Sequence, residues 1–364
     1  MDIKSTSNID KKLLINIKSN FILKQVFKNL KENKMLKVIK YNKSIQNKLS
    51  IEIKDFKGFK NIILEIIPKT IEDKNIFINI SEYNKSYYHI YINDSKEENR
   101  KNYFTKDEKV EKIKIIIEPE INSFSWLFSG CRCIEKINFI KFNRTNIEDM
   151  IRMFYECSSL KELNLSNFNT DNITNMQEMF YKCFSLSELN LNNFNTKNVI
   201  NMSYMFYGCS SLKKLNITSF NTENVIYMNF MFSCCSSLNE INLNNFNTNK
   251  VKDMSEMFSL CSSLKEINLN NFNTDNVTDM ADMFFKCSSL EKINIYNFNT
   301  SNVKTMYGMF HGCKSLKELN ISNFIIKETT NVYSMFYDCS DELETNIRNQ
   351  IQDIDEDAFY SPYK

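Results

Sequence analysis

The chain has little of what catalysis, phosphate binding or membrane insertion requires. It holds two histidines, His89 and His311, far apart in sequence. Its five glycines, Gly58, Gly130, Gly208, Gly308 and Gly312, are too scattered for a loop that cradles phosphate. Paired carboxylates occur only as repeated surface positions. An enzyme, a cofactor or a bound metal is therefore not expected. No run approaches the roughly 18 apolar residues of a membrane-crossing helix. The first twenty residues hold only a short apolar run, Leu13 to Ile17, closed by Lys18, with no small-residue cleavage site. The expectation is a cytoplasmic protein without a transmembrane segment. Net charge is only +2, but residues 1–50 carry twelve Lys against three acids, which is +9 and leaves −7 for the rest. Those fifty residues contain no Arg and match no nucleic-acid-binding fold, so a nucleic-acid partner is not expected either.

What the chain does have is period. Cysteine recurs every 26 residues at 131, 157, 183, 209, 235, 261, 287, 313 and 339, and Met-Phe stands ahead of it from Met153-Phe154 to Met335-Phe336. A period between 20 and 50 residues marks an array of stacked units, none of which buries its apolar face alone. Leu163 and Leu165 flank Asn164, the alternation of a short strand with one buried face. Asn167 and Asn169 break that strand, and Thr170 or Asn172 is placed to cap a helix. Ile173, Met176, Met179, Phe180 and Cys183 then share one helical stripe. The fold class expected is α/β: a solenoid with a short parallel strand and a short helix in each 26-residue repeat.

Stacking turns equal positions into columns about 4.8 Å apart per repeat. Phe142, Phe168, Phe194 and their successors to Phe324 form a buried spine. Asn138, Asn164, Asn190 and their successors to Asn320 form an outward ladder, either bonded from repeat to repeat or open to a partner. Beside it run Lys136, Glu162, Glu188, Lys214, Glu240, Glu266, Lys292 and Glu318. Tyr296 interrupts a polar third column and is the candidate aromatic anchor, because interface hot spots favour Tyr. The candidate partner-binding residues are thus Glu162, Glu188, Glu240, Glu266, Tyr296 and Glu318. Nine sulfurs in a straight column cannot converge on one metal. They read as core, with Cys133 and Cys234, outside the column, as the exposed thiols.

The repeat resembles the BspA-type leucine-rich-repeat family, whose units read MF-x-x-C-S-S-L-x-x-L-x-L-S-x-F-x-T-x-x-V-x-x-M. The match covers residues 121–340 and decays at Leu127-Phe128 and at Ile325-Ile326. The resemblance implies surface adhesion or protein recognition, so an exported adhesin stands as an alternative to an intracellular scaffold.

The expected organisation is a basic helical segment (1–50), a β-rich capping region (51–120), the repeats (121–342) and a C-terminal capping helix with an acidic tail (343–364). The stretch Ile22–Leu49 resembles an F-box without its opening Leu-Pro, which implies an adaptor whose repeats select a target. Strands are expected at Ile62–Ile67, Ile76–Ile80, Tyr88–Ile92 and Ile113–Ile117. Trp126 reads as core where cap and first repeat meet. Leu343, Ile347, Ile351 and Ile354 fit one helical face, and Asp353, Asp355, Glu356 and Asp357 read as a solvated acidic tail.

Overall fold

The computed structural model describes residues 19, 22, 43–49, 60–142 and 144–360. The helical pair expected over residues 1–50, and the F-box-like stretch with it, lies outside the described residues apart from Ser19, Ile22 and helix α1 (Lys43–Leu49). No helix among the described residues is long and apolar enough to cross a membrane.

Strands β1 (Ile62–Pro68), β2 (Lys74–Ile76), β3 (Tyr88–Ile92), β4 (Tyr103–Thr105) and β5 (Ile113–Ile117) precede the repeats. In β1 the side chains of Ile62, Leu64 and Ile66 are buried, the two-residue alternation of a half-buried strand. The strand expected at Ile76–Ile80 is corrected. It ends at Ile76, because beyond it the ladder is replaced by other partners: the Ile78 carbonyl accepts from the Asn102 side chain and the Asn79 N–H turns to the Leu127 carbonyl. A five-stranded sheet runs β3-β5-β1-β6-β7, with β6 spanning Ile134–Lys141 and β7 Glu162–Asn164. It is antiparallel from β3 to β6 and parallel from β6 to β7. Strand β6 therefore joins the leading sheet to the strand side of the repeats. Two polar side chains reinforce that junction. The Arg144 guanidinium donates to the carbonyls of Glu118, Pro119 and Ile121. Asn79 donates its backbone N–H to the Leu127 carbonyl (2.8 Å) and its Nδ2 to that of Ser129 (2.7 Å), two carbonyls that a preceding repeat would otherwise serve, and Nδ2 also reaches the Trp126 carbonyl at 3.0 Å.

Consecutive repeats lie side by side in parallel. Strands β8 (Glu188–Asn190) and β9 (Lys214–Asn216) pair in register, as do β10 (Glu266–Asn268) and β11 (Lys292–Asn294). Parallel bridges continue from Asn175–Asn201 through to Thr305–Asn331.

The short helix expected in each repeat is not there. The Met-Phe segment is a ribbon of overlapping turns. Within a repeat, Met153, Tyr155 and Cys157 donate to the carbonyls three residues back. The alternate N–H groups of Arg152, Phe154 and Glu156 point along the stack to Gln177, Met179 and Tyr181 of the next repeat, at 2.7–3.1 Å. Every second donor thus serves cohesion between repeats, whereas a helix would spend all of them internally. The geometry demands left-handed backbone at two positions per repeat. Arg152 and Glu156 (φ +54° each), Glu178 (+55°) and Lys182 (+54°) adopt it without being glycine. The inward set is the same as for a helix, with Met176, Met179, Phe180 and Cys183 all fully buried.

Thr170 does not cap a helix. It belongs to a buried column with Thr196, Thr222, Thr248, Thr274 and Thr300. Each Oγ1 donates to the carbonyl, and accepts from the N–H, of the residue 25 positions on, from Asn195 to Ile325, at 2.7–3.1 Å. One hydroxyl replaces a pair of strand bonds at a corner where the backbone turns away from sheet geometry. The column cysteines are buried from Cys131 to Cys313, and each Sγ from Cys157 onward donates to a phenylalanine carbonyl 29 residues back, at 3.0–3.2 Å. Cys133, expected to be exposed, is buried instead. Its thiol bonds the Ile76 carbonyl at 3.1 Å, and burial pushes it up to about 12. Of the two, only Cys234 is partly exposed.

Helix α2 (Asp341–Gln350) closes the array. Ser340 caps it by accepting from the Leu343 N–H, and Asp341, Glu342 and Glu344 suit the positive end of its dipole. It buries Leu343 and Ile347, but stops before Ile351 and Ile354. The strand expected in every repeat is absent at 240–242 and 318–320, and in the last of these Asn346 and Gln350 accept from the N–H groups of Leu319 (3.2 Å) and Ile321 (2.8 Å), which covers that end of the array. The acidic side chains Asp353, Asp355, Glu356 and Asp357 are exposed, as expected, but the backbone that carries them is docked. Ser334 and Phe336 donate to the carbonyls of Asp357 and Ala358 at 2.8 Å each, the bonds a further repeat would have made. Glu356 takes both guanidinium nitrogens of Arg348, at 2.6 and 3.0 Å.

Candidate protein-binding surface

Two outward surfaces emerge: the strand side and the turn ribbon. On the strand side, a groove of about 960 Å³ runs over the first five repeats, lined by Lys136, Glu162, Glu188, Lys214, Glu240 and the asparagines beside them. Every glutamate singled out from the sequence is exposed. Three are already engaged with lysine one repeat away: Glu162 with Lys136 (2.5 Å), Glu188 with Lys214 (2.8 Å) and Glu266 with Lys292 (2.8 Å). Exposed pairs of this kind are worth only about 0–1 kcal/mol, so they tune the surface more than they hold the fold. Glu240 and Glu318 have no ion pair among the described residues. Glu240 lines the long groove, and Glu318 lines a second hollow at the far end with Lys292, Asn346 and Gln350. Tyr296 is 52% exposed, with its ring in no aromatic contact among the described residues. Glu162, Glu188 and Glu240 thus line one hollow and Glu318 another, while Glu266 and Tyr296 line neither.

The asparagine ladder is mainly local. Asn164, Asn190, Asn216, Asn242, Asn268 and Asn320 each accept, through Oδ1, the N–H two residues on, which shapes the turn after the strand. Asn164 also donates to Asn138 in the preceding repeat, at 2.9 Å.

The ribbon carries an outward feature that the helical reading hid. Tyr155, Tyr181 and Tyr207 stack at 4.6 and 4.8 Å, and Tyr204 stacks on Phe230 at 4.3 Å. Trp126, expected in the core, begins this row at 44% exposure. Left-handed backbone turns its side chain outward, and Arg152 lies over the ring at 4.4 Å. The signal was present as tyrosine at 26-residue spacing. Because the ring faces cover one another, this row offers edges and hydroxyls more than open stacking faces.

Further along the ribbon, Glu256 and Asp282 occupy equal positions in adjacent repeats, beside Asp253 and Asp279. Gly308 follows in the same column, where a Cβ would collide with the Asp282 carboxylate. Burial, then the charge of Asp282, pushes Glu256 up to about 7; burial, then Asp279, pushes Asp282 up to about 6. Folded values raised above the unfolded ones mean stability present in full below about pH 4 and lost as pH rises through 6 to 7. The double variant Glu256→Gln, Asp282→Asn is expected to be more stable than the parent at pH 8 by about 1–2 kcal/mol after discounting for solvent screening. At pH 4 the two proteins should unfold at nearly the same denaturant concentration.

Fold and surface together define a repeat protein of mixed class, rich in short strands and turns and poor in helix. The chain belongs to the family described as Mycoplasma protein of unknown function, DUF285, matching it over residues 122–241, 187–268 and 262–352. No curated protein matches the chain.

Proposed function

We propose that the repeats form a solenoid of the leucine-rich-repeat kind and act, without catalysis, as a cytoplasmic scaffold whose strand side docks a protein partner. The observation that carries this reading is the exposed strand side. It presents charge at every repeat, glutamates at 240 and 318 without ion partners among the described residues, and an exposed aromatic, Tyr296. Membership of a repeat family is compatible with it. At the far end Asn346 and Gln350 take the N–H groups of Leu319 and Ile321, so a partner there meets side chains and not an open edge. Glu240 and Glu318 supply charge complementarity, Tyr296 supplies buried area, and the paired glutamates exchange lysine partners at little cost. Tyr296→Ala and Glu240→Lys are each expected to weaken partner binding by tenfold or more, on the order of 1.4 kcal/mol, in a titration with purified components. Unchanged affinity in both variants would remove the strand side from consideration.

A further inference from the structure

Strand β3 is the outermost strand of the five-stranded sheet, so its far edge should be open. It is covered by the segment 93–102. Asn99 donates to the Ile90 carbonyl at 2.7 Å, forming a single antiparallel bridge on that edge. The segment is tied at its ends. Asn93 bonds Lys109 and Lys112, and Asn102 bonds Phe77 and Ile78. Between these anchors, one side chain of β3 reaches out to it. His89 Nδ1 lies 3.3 Å from a Glu98 carboxylate oxygen, while Nε2 lies 3.0 Å from Glu118, at the far side of the strand.

We propose that His89 is a latch, holding the 93–102 segment over the edge of β3 as an imidazolium shared by Glu98 and Glu118 and releasing it when the ring loses its proton. The chemistry follows from donor count. The charged ring has two N–H donors and two carboxylates to serve. The neutral ring has one donor, so either contact it drops sets a lone pair against a carboxylate. Of the two, the contact to Glu98 is the longer and more exposed. Hydrogen bonding to Glu118, opposed by burial and reinforced by Glu98, raises the imidazole above its ordinary value. The latch is therefore closed below pH 6.5 and opens as pH climbs through that raised value. Lys85 and Glu82 from the preceding turn and Arg100 from the segment itself line the same hollow of about 640 Å³. Lys85 and Glu82 pair with each other at 3.4 Å.

The test is amide hydrogen exchange of the full chain, read at Asn99 and corrected for the intrinsic pH dependence of exchange. Protection is expected to be about fivefold higher at pH 6 than at pH 8.5. In His89→Gln it should be low and equal at both pH values. In Glu98→Gln, which keeps the Glu118 contact and the core, the pH dependence at Asn99 should also vanish. Equal protection at the two pH values in the parent would overturn the latch. So would a pH dependence that survives in either variant.

Discussion

Phe232→Ala is expected to cost about 3–5 kcal/mol, the range for emptying a buried aromatic site. Phe232 is fully buried and lies between Phe206 (5.6 Å) and Phe258 (5.5 Å), each nearly parallel to it. The same stack runs from Phe128 to Phe336. Ala leaves two ring faces against a void whose walls cannot collapse, because both neighbours are pinned by backbone bonds across repeats, Phe206 N–H to Met231 and Phe258 N–H to Met283, at 2.9 Å each. In an array stabilised by nearest-neighbour contacts, damage at one interface also uncouples the halves on either side. Urea unfolding followed by circular dichroism should show a lower midpoint and a broader or split transition. Phe230→Ala supplies the contrast. Phe230 lies on the outward side and is half-buried, so its loss should cost about 1 kcal/mol. A reversed order would mean that the ribbon has been turned inside out.

Thr222→Val should cost about 2–6 kcal/mol although the two side chains have nearly the same shape. Thr222 is buried, and its Oγ1 serves both the carbonyl (2.8 Å) and the N–H (2.7 Å) of Asn247. Valine fills the space and leaves both backbone groups without a partner, at about 1–3 kcal/mol each. Thr222→Ser keeps both bonds and should cost less than about 1 kcal/mol. Equal losses for Val and Ser would show that the methyl group, and not the hydroxyl, carries the column.

The apolar columns were legible from the chain because their logic does not depend on how the backbone gets from one position to the next. Met176, Met179, Phe180 and Cys183 point inward from a helix and from a turn ribbon alike. What the period concealed was the ribbon itself. Its left-handed positions carry Glu178, Lys182, Glu256 and Leu260, residues that favour helices, and glycine marks such positions only at 130, 208, 308 and 312. Bonds to the next repeat offset the conformational cost, and those bonds exist only in the stack. Trp126 and Cys133 were misplaced for related reasons, one turned out by its backbone and the other drawn in by the Ile76 carbonyl. On the strand side, the alternation of Lys and Glu along one column already contained the pairing of Lys136 with Glu162 and of Lys292 with Glu266. Which glutamates remain without ion partners follows from which lysine reaches which neighbour, and that required coordinates.

Whether the strand side or the ribbon meets the partner is tested most directly by site-specific photo-crosslinking in intact cells. A crosslinking amino acid is placed at Tyr296 on the strand side or at Tyr181 on the ribbon. The strand-side probe should trap one discrete protein adduct, which Glu240→Lys diminishes, and the ribbon probe should trap none. An adduct at Tyr181 with none at Tyr296 would contradict the proposed docking face and place recognition on the tyrosine row.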